Sequence, residues 1–144
     1  MTLKNEPKST TIFYAVTYQT SANTWRKIGA RIMDKDTLIA ANIDYENGKK
    51  RFAGNEALYE KYLLKYKDDV HYEAVKAAYE AGDFDTLLKE AHTLKGVAGT
   101  LGLTDIYQTC ANIVTALRSE RTEQVPQLFR MLQHAYEKTM IALK

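Results

Sequence analysis

Residues 91–102 have the sequence AHTLKGVAGTLG, and this stretch decides how the rest of the chain is interpreted. It contains His92, one of three histidines in the chain, with Lys95 three residues later and Gly96 four residues later. Residues at positions i, i+3 and i+4 of an α-helix are neighbours on one surface. The stretch therefore predicts a helix on which an imidazole, an ammonium group and a bare patch of backbone lie together.

The apolar residues around this stretch predict which side of the helix is buried. At about 100° per residue they cluster within an arc of about 140°. The residues of this core face are Phe84, Leu87, Leu88, Ala91, Leu94, Ala98 and Leu101. His92 lies about 120° from the centre of the arc, so we expect its side chain to face solvent. Lys95 lies between His92 and the core face, where its stem can cover apolar surface while its ammonium group reaches water.

Two glycines lie in the interior of the predicted helix, where each costs about 0.5–1 kcal/mol relative to alanine. Gly102 differs from Gly96 and Gly99 because it can end the helix as a C-terminal cap. Interior glycines permit close packing, either against another helix of the same chain or against a partner protein. Gly96 and Gly99 fall beside His92 rather than on the core face. This position favours close approach by a partner.

The composition is typical of a soluble globular chain. Its 144 residues are 45% hydrophobic and 26% charged, and the net charge of +2 does not predict nucleic acid or an anionic membrane as a partner. The single cysteine, Cys110, has apolar neighbours and is predicted to be a core thiol. No apolar run approaches the roughly 18 residues of a membrane span, and the start of the chain lacks a signal peptide. We expect a cytoplasmic monomer, and the sequence favours a free-standing chain over a segment of a larger protein without deciding between them.

The pattern along the chain predicts two parts. Residues 1–42 form an N-terminal extension with a strand-like segment or extended arm at 11–18 and a short helix through Arg31. Residues 43–144 predict an all-α fold, in which four long helices with short connections form an antiparallel up-down bundle. The predicted helix boundaries are Asp44, Gly54, Asn55, Asp68 or Asp69, Gly82, Asp83 or Asp85, Gly102 and Thr104.

Helical periodicity also predicts the inward-facing residues of the other helices, and most of the ten tyrosines fall at such positions. The inward-facing residues predicted are Leu58, Tyr59, Tyr62, Leu63 and Tyr66; Val70, Val75, Ala78 and Tyr79; Ile106, Cys110, Ile113, Val114 and Leu117; and Leu128, Leu132, Ala135, Thr139 and Ala142.

The residue types around His92 suit phosphoryl chemistry. A neutral imidazole is a good nucleophile near pH 7 and can carry a phosphoryl group on nitrogen. Phosphorylation adds about −1.5 to −2 charge, which Lys95 can stabilise from one helical turn away. The sequence shows no carboxylate cluster near His92 that would hold Mg²⁺. The metal ion and an acceptor aspartate are therefore expected to come from a partner.

The segment Ala91–Leu103 resembles the signature of histidine-containing phosphotransfer (HPt) domains of two-component phosphorelays. Asp44–Gly48 and Gly54–Glu56 are similar to the opening turn of that family, and the order of helices agrees from Ile43 to the C-terminus. The resemblance implies that a phosphoryl group passes between aspartates of receiver domains through this chain. It assigns His92 as the phosphoacceptor, Lys95 as the phosphate-side cation and Gly96 as clearance for a receiver domain.

The same resemblance implies the partners and the rest of the docking surface. Response-regulator receiver domains and a hybrid histidine kinase are the expected partners, with Mg²⁺ on the receiver and no cofactor bound by this chain. We assign Lys89, Gly99 and Arg118 to the partner-docking surface. The sequence departs from the family where many members carry a glutamate soon after the position of Cys110, because this chain has Ala111 and Asn112 there.

Other functions fit the sequence less well. A histidine kinase needs a glycine-rich nucleotide loop, whereas Gly96, Gly99 and Gly102 lie within a helical pattern, so we predict a phosphotransfer intermediate without an ATP site rather than an enzyme. A di-metal bundle would use Glu-x-x-His pairs, and Glu90 is only two residues from His92. His71 and His134 are interpreted as surface or rim residues, and the basic run 49–51 as solvated surface. The remaining alternative is a helical adaptor that binds a signalling partner without phosphotransfer, in which His92 would be dispensable.

Overall fold

The computed structural model describes residues 34–144, and this part of the chain is largely helical. The helices are α1 (Lys35–Ala40), α2 (Tyr45–Lys50), α3 (Glu56–Lys65), α4 (His71–Ala81), α5 (Phe84–Leu101), α6 (Thr104–Arg118) and α7 (Val125–Ala142). Short 3-10 turns, Tyr66–Asp68 and Thr122–Gln124, precede α4 and α7. The strand-like segment at 11–18 and the helix through Arg31 lie outside the described residues.

The predicted all-α bundle is confirmed. Helices α4, α5, α6 and α7 are the long ones, and each packs against the next along the chain. The links between them are short, so successive helices run antiparallel. Residues 36–144 form one compact unit; the boundary between residues 42 and 43 stays a prediction. Within the described range, no helix combines the length and the apolar character that crossing a membrane requires.

Local capping signals set most of the helix ends. The side chains of Asp44, Asn55 and Asp83 accept hydrogen bonds from backbone N–H groups three residues later, as predicted for N-caps. Gly82 and Gly102 end α4 and α5 in the left-handed conformation, with φ of 68° and 77°. The chain reverses direction at Gly82 and again at Gly102, so α5 packs against both α4 and α6.

Two predicted boundaries need correction. Helix α2 ends at Lys50 rather than at Gly54, because residues 51–54 form a turn in which the Gly54 N–H donates to the Lys49 carbonyl at 3.1 Å. Helix α4 is preceded by Val70 rather than by an aspartate in the N-cap position. Asp69 still helps to cap the start of α4, because its carboxylate accepts a hydrogen bond of 3.0 Å from the His71 N–H.

The core lies between the long helices and beneath α3. Full burial of a Val, Leu, Ile or Phe side chain contributes about 1.5–3 kcal/mol to stability, and smaller side chains such as Ala contribute less. The buried side chains of this core include Tyr59, Leu63, Val75, Leu87, Ala91, Leu94, Ala98, Ile106, Cys110, Ile113, Val114, Val125, Phe129 and Leu132. The burial of Cys110 confirms the predicted core thiol, and burial raises the pKa of that thiol to about 12 against an opposing effect of the Lys95 charge.

Several predicted inward positions are wrong near helix ends. Val70 is 67% exposed, while Tyr72 is buried. Leu58, Tyr62 and Phe84 are also exposed, at 37%, 42% and 39% respectively. On α7, Val125 and Phe129 are buried and Leu128 is only half-buried. Near a helix end fewer neighbouring elements cover the apolar face, so periodicity alone does not decide which of its residues is buried.

Aromatic stacking joins α4 to α7. The Tyr72 and Tyr136 rings are parallel with centroids 3.7 Å apart, and the Tyr79 and Phe129 rings stack at 4.3 Å. These contacts pack the first long helix against the last, so that the four helices enclose one core.

The segment before α2 fixes the end of α5. The Asp44 N–H donates to the Gly102 carbonyl at 2.7 Å, and the Tyr59 hydroxyl donates to the Leu101 carbonyl at 2.7 Å. An antiparallel bridge joins Ile43 to Leu103. A Cβ atom on Gly102 would lie 2.5 Å from the Asp44 carbonyl oxygen, so glycine is required here for close approach as well as for its positive φ.

Candidate functional site

Helix α5 presents His92 to solvent. Its buried residues are Leu87, Ala91, Leu94, Ala98 and Leu101, which form the centre of the predicted core face. His92 lies about 140° from the centre of these five positions, and its side chain is exposed. Within the described part of the chain, no hydrogen bond or ion pair involves its ring. The imidazole is therefore accessible to a partner.

Lys95 lies on the side of His92 that faces α6. Its side chain is half-buried, as expected for a stem that covers apolar surface. Burial raises the pKa of the Cys110 thiol on α6, and the positive charge of Lys95 opposes this effect. Lys89, one turn before His92, is exposed, and its carbonyl accepts a hydrogen bond of 3.1 Å from the Thr93 hydroxyl.

The two interior glycines of α5 have different surroundings. A Cβ atom added to Gly96 would meet no atom of residues 34–144 within 4 Å, whereas one added to Gly99 would lie 3.2 Å from two ring atoms of Tyr107. Gly96 thus leaves open space one turn beyond His92. Gly99 instead accommodates the Tyr107 ring of α6, which is the packing within the chain that the sequence interpretation considered less favoured.

One side of α6 borders the surface of α5 that carries His92, Lys95 and Gly96. Tyr107, Ala111 and Arg118 lie within about 40° of one another around α6, and the contact of Tyr107 with Gly99 shows that this side faces α5. Since α5 and α6 run antiparallel from Gly102, Arg118 lies about 7 Å beyond the level of His92 along the helix axes. Arg118 is exposed at the end of α6.

A surface depression of about 500 Å³ begins next to Gly96. It is lined by residues that include Asp44, Arg51, Lys95, Gly96, Gly99 and Tyr107. Arg51 and Tyr107 are not among the site residues predicted from the sequence. The helical wheel of α6 could have shown that Tyr107 is exposed, but no local signal could have placed Arg51, which lies in the turn after α2.

The Asp44 carboxylate keeps its N-cap role at the edge of this depression. Its oxygens accept hydrogen bonds from the Asn47 side-chain amide at 2.7 Å and the Asn47 N–H at 3.3 Å. These hydrogen bonds, with help from the Arg51 and Lys50 charges, lower the pKa of Asp44. The carboxylate is therefore ionised near neutral pH.

The other histidines lie away from α5. The His71 ring contacts the Asp69 carboxylate at 3.0 Å, and His134 lies on α7 near Asp105. His71 is half-buried and His134 is exposed, which confirms their prediction as rim and surface residues. Across residues 34–144, no three or more His, Cys, Asp or Glu side chains form a group that could hold a metal ion.

Comparison with known protein families gives a match that includes this surface. A family model described as the Hpt domain matches residues 68–141, a range that covers α4, α5 and α6 and nearly all of α7. Comparisons with curated proteins and with solved structures find no match.

Proposed function

This chain belongs to the Hpt domain family, and from that premise we propose that it relays a phosphoryl group between receiver-domain aspartates through His92. Hpt domains are histidine phosphotransfer carriers of two-component phosphorelays. The observation that carries the assignment to His92 is its exposure on α5 beside the open backbone of Gly96.

The proposed reaction is a reversible exchange between nitrogen and oxygen. The unprotonated ring nitrogen of His92 attacks the phosphorus of an aspartyl phosphate. The P–N bond forms as the P–O bond to the aspartate breaks, and the aspartate leaves as a carboxylate. The other ring nitrogen keeps its proton, so neutral imidazole is the leaving group when a second aspartate attacks the phosphorus.

Lys95 and Arg118 are proposed to stabilise the phosphorylated form. The new phosphoryl group carries about −2 charge, and residues one turn apart on a helix have Cβ atoms about 5–6 Å apart. Lys95 is therefore within reach of a phosphoryl group on His92. Arg118 approaches the same region from α6, and Lys89 with Gly99 belongs to the surrounding docking surface.

We propose that the receiver domain supplies the rest of the active site. Phosphoryl transfer depends mainly on positioning and on neutralisation of charge by a metal ion that bridges phosphoryl oxygens. The receiver would bring both Mg²⁺ and the aspartate that donates or accepts the phosphoryl group. The chain would serve as half of a shared active site, without an ATP site of its own.

The proposed partners, oligomeric state and cellular compartment follow from the proposed phosphotransfer role. Response-regulator receiver domains and a hybrid histidine kinase are the proposed partners, and the chain would act as a monomer in the cytoplasm. The net charge of +2 gives no support for nucleic acid as a partner, and the single buried thiol suits a reducing compartment.

The proposal is tested by incubation with a receiver domain that carries a radiolabelled aspartyl phosphate. We expect the chain to gain label that is labile in acid and stable in base, as a phosphoramidate is. His92→Gln should abolish labelling, while His134→Gln, a change to another exposed histidine, should leave it intact. Label that survives His92→Gln would refute the site. Absence of transfer from every cognate receiver would favour the adaptor function, in which binding persists without phosphotransfer.

A further inference from the structure

The depression beside Gly96 lies within the area that a partner must cover to reach His92. Gly96 is four residues from His92, about 6 Å along α5, and Gly99 is about 10 Å away. A standard protein–protein interface buries about 800 Å² on each partner, which corresponds to a disc of about 16 Å radius. A receiver centred on His92 would therefore cover the end of the depression at Gly96 and Gly99.

Bare backbone and an aromatic ring form part of the walls of the depression, beside the short side chains of Ala98, Thr100 and Thr104. Gly96 and Gly99 contribute no side chains, and the Tyr107 ring packs against the backbone at Gly99 while it remains 39% exposed. An exposed tyrosine that is held in one orientation loses little side-chain freedom when a partner covers it, which is why tyrosine is common in interface hot spots. The cavity of about 500 Å³ has room for a projecting side chain.

The rim of the depression carries two cations. Arg51 reaches it from the turn after α2, and Lys95 from α5. Among the lining residues that belong to the described part of the chain, Asp44 is the one carboxylate, and its oxygens are hydrogen-bonded to Asn47. An apolar side chain with a carboxylate next to it in sequence would match this combination of aromatic wall and positive rim.

We propose that this depression is the receiver-recognition pocket of the chain, with Tyr107 as its wall and Arg51 as the residue that selects receivers by charge. The occupant is an apolar side chain that projects from the receiver near its phosphorylated aspartate, with an acidic neighbour that pairs with Arg51. This inference rests on the proposed phosphotransfer through His92, and it assigns partner specificity to residues outside α5.

The test measures the initial rate of phosphotransfer against concentration of the phosphorylated receiver that transfers fastest to the wild-type chain. Tyr107→Ala should raise the half-saturating receiver concentration about tenfold and change the maximal rate less than about threefold. Tyr107→Phe should restore wild-type saturation because it keeps the ring. Circular dichroism and thermal unfolding verify that each variant is folded.

Arg51→Glu gives a second test that does not depend on the ring. We expect it to raise the half-saturating concentration about fivefold at low salt, with the difference shrinking at high ionic strength. Arg130→Glu is the matched control, since it makes the same charge change at an exposed arginine in the groove between α6 and α7. It should leave saturation unchanged.

The outcomes separate this inference from the proposed function. If the wild-type chain accepts no phosphoryl group, phosphotransfer itself is refuted. If it is phosphorylated on His92 and both Tyr107→Ala and Arg51→Glu saturate like wild type, only the pocket is refuted. Equal effects of Arg51→Glu and Arg130→Glu would show a general charge effect and overturn selection by Arg51. A change of oligomeric state in Tyr107→Ala with unchanged saturation would show that a second copy of the chain occupies the pocket, which also overturns the inference.

Discussion

Gly96 and Gly99 show how a single residue type serves two purposes on neighbouring turns. The space outside Gly96 is empty, so nothing within the described part of the chain requires a glycine there. Gly99 is explained by the Tyr107 ring that packs against it. The cost of about 0.5–1 kcal/mol at Gly96 has no counterpart in the packing of residues 34–144, and the proposed clearance for a partner would account for it.

Substitution at Gly96 should separate stability from transfer. Gly96→Leu replaces an interior helical glycine with a strong helix former in open space, so we expect the free energy of unfolding to rise by about 0.5–1 kcal/mol. The same side chain would obstruct a receiver one turn from His92, and the transfer rate should fall at least about tenfold. Urea denaturation and receiver-driven phosphorylation measure the two effects.

Gly96→Ala is the matched control for this prediction. It should gain similar stability, and its single methyl group should reduce transfer much less than the leucine does. Transfer by Gly96→Leu at the wild-type rate would contradict the clearance argument.

At the scale of the helices, the residues that end them were predictable from sequence, and the residues that face the core were less so. Asp83 and Gly102 act on backbone groups within a few residues, so local sequence identifies them. Whether Val70 or Tyr72 is buried depends on which other elements cover the start of α4, and sequence periodicity carries no information about those elements. The contact between Tyr107 and Gly99 depends on the register of α6 against α5, and it was not predicted.

The two glycines that end α4 and α5 predict different costs of substitution. Gly82 and Gly102 both have positive φ, which costs an alanine about 1–2 kcal/mol. Within the part of the chain that the structure describes, a Cβ atom at Gly82 would meet nothing within 4 Å, whereas one at Gly102 would meet the Asp44 carbonyl oxygen at 2.5 Å. We expect Gly82→Ala to lose about 1–2 kcal/mol and Gly102→Ala at least about 3 kcal/mol. Equal losses in urea denaturation would show that the segment before α2 does not pack tightly on the end of α5.

At the scale of the whole molecule, Asp105 joins three separate elements. Its carboxylate accepts hydrogen bonds from Lys138 on α7 at 2.8 Å and from Asn42, which follows α1, at 2.6 Å. Burial raises the pKa of Asp105, but these hydrogen bonds and the nearby positive charges outweigh it and lower the pKa below its ordinary value. The ionised carboxylate thus stabilises the arrangement of α1, α6 and α7.

This ion pair predicts a pH-dependent contribution to stability. Because the folded pKa is lowered, the contribution is complete above the unfolded value of about 4 and is lost as pH falls through the folded pKa. Asp105→Asn should cost about 1 kcal/mol at pH 7, and its difference from wild type should shrink as the pH falls below about 4. Glu123→Gln, at an exposed acidic residue, is the control. A difference that does not change with pH would refute the role of the charge.

The bundle as a whole is proposed to supply one face of a reaction site that a receiver domain completes. The all-α fold and the family followed from the helical pattern and the segment around His92, because both signals are local. Arg51 was interpreted only as solvated surface, because its place beside Lys95 depends on how the turn after α2 packs near the end of α5. Contacts between distant segments of the chain are thus where sequence analysis was least complete.

The central claim is that His92 carries the phosphoryl group between receivers, and a two-step transfer measured by intact-protein and peptide mass spectrometry tests it directly. After incubation with a phosphorylated receiver, we expect the chain to gain the mass of one phosphoryl group on the peptide that contains His92. Addition of a second, unphosphorylated receiver should remove that mass and place it on the receiver's aspartate. A phosphoryl group found on another residue, or one on His92 that no receiver removes, would contradict the account.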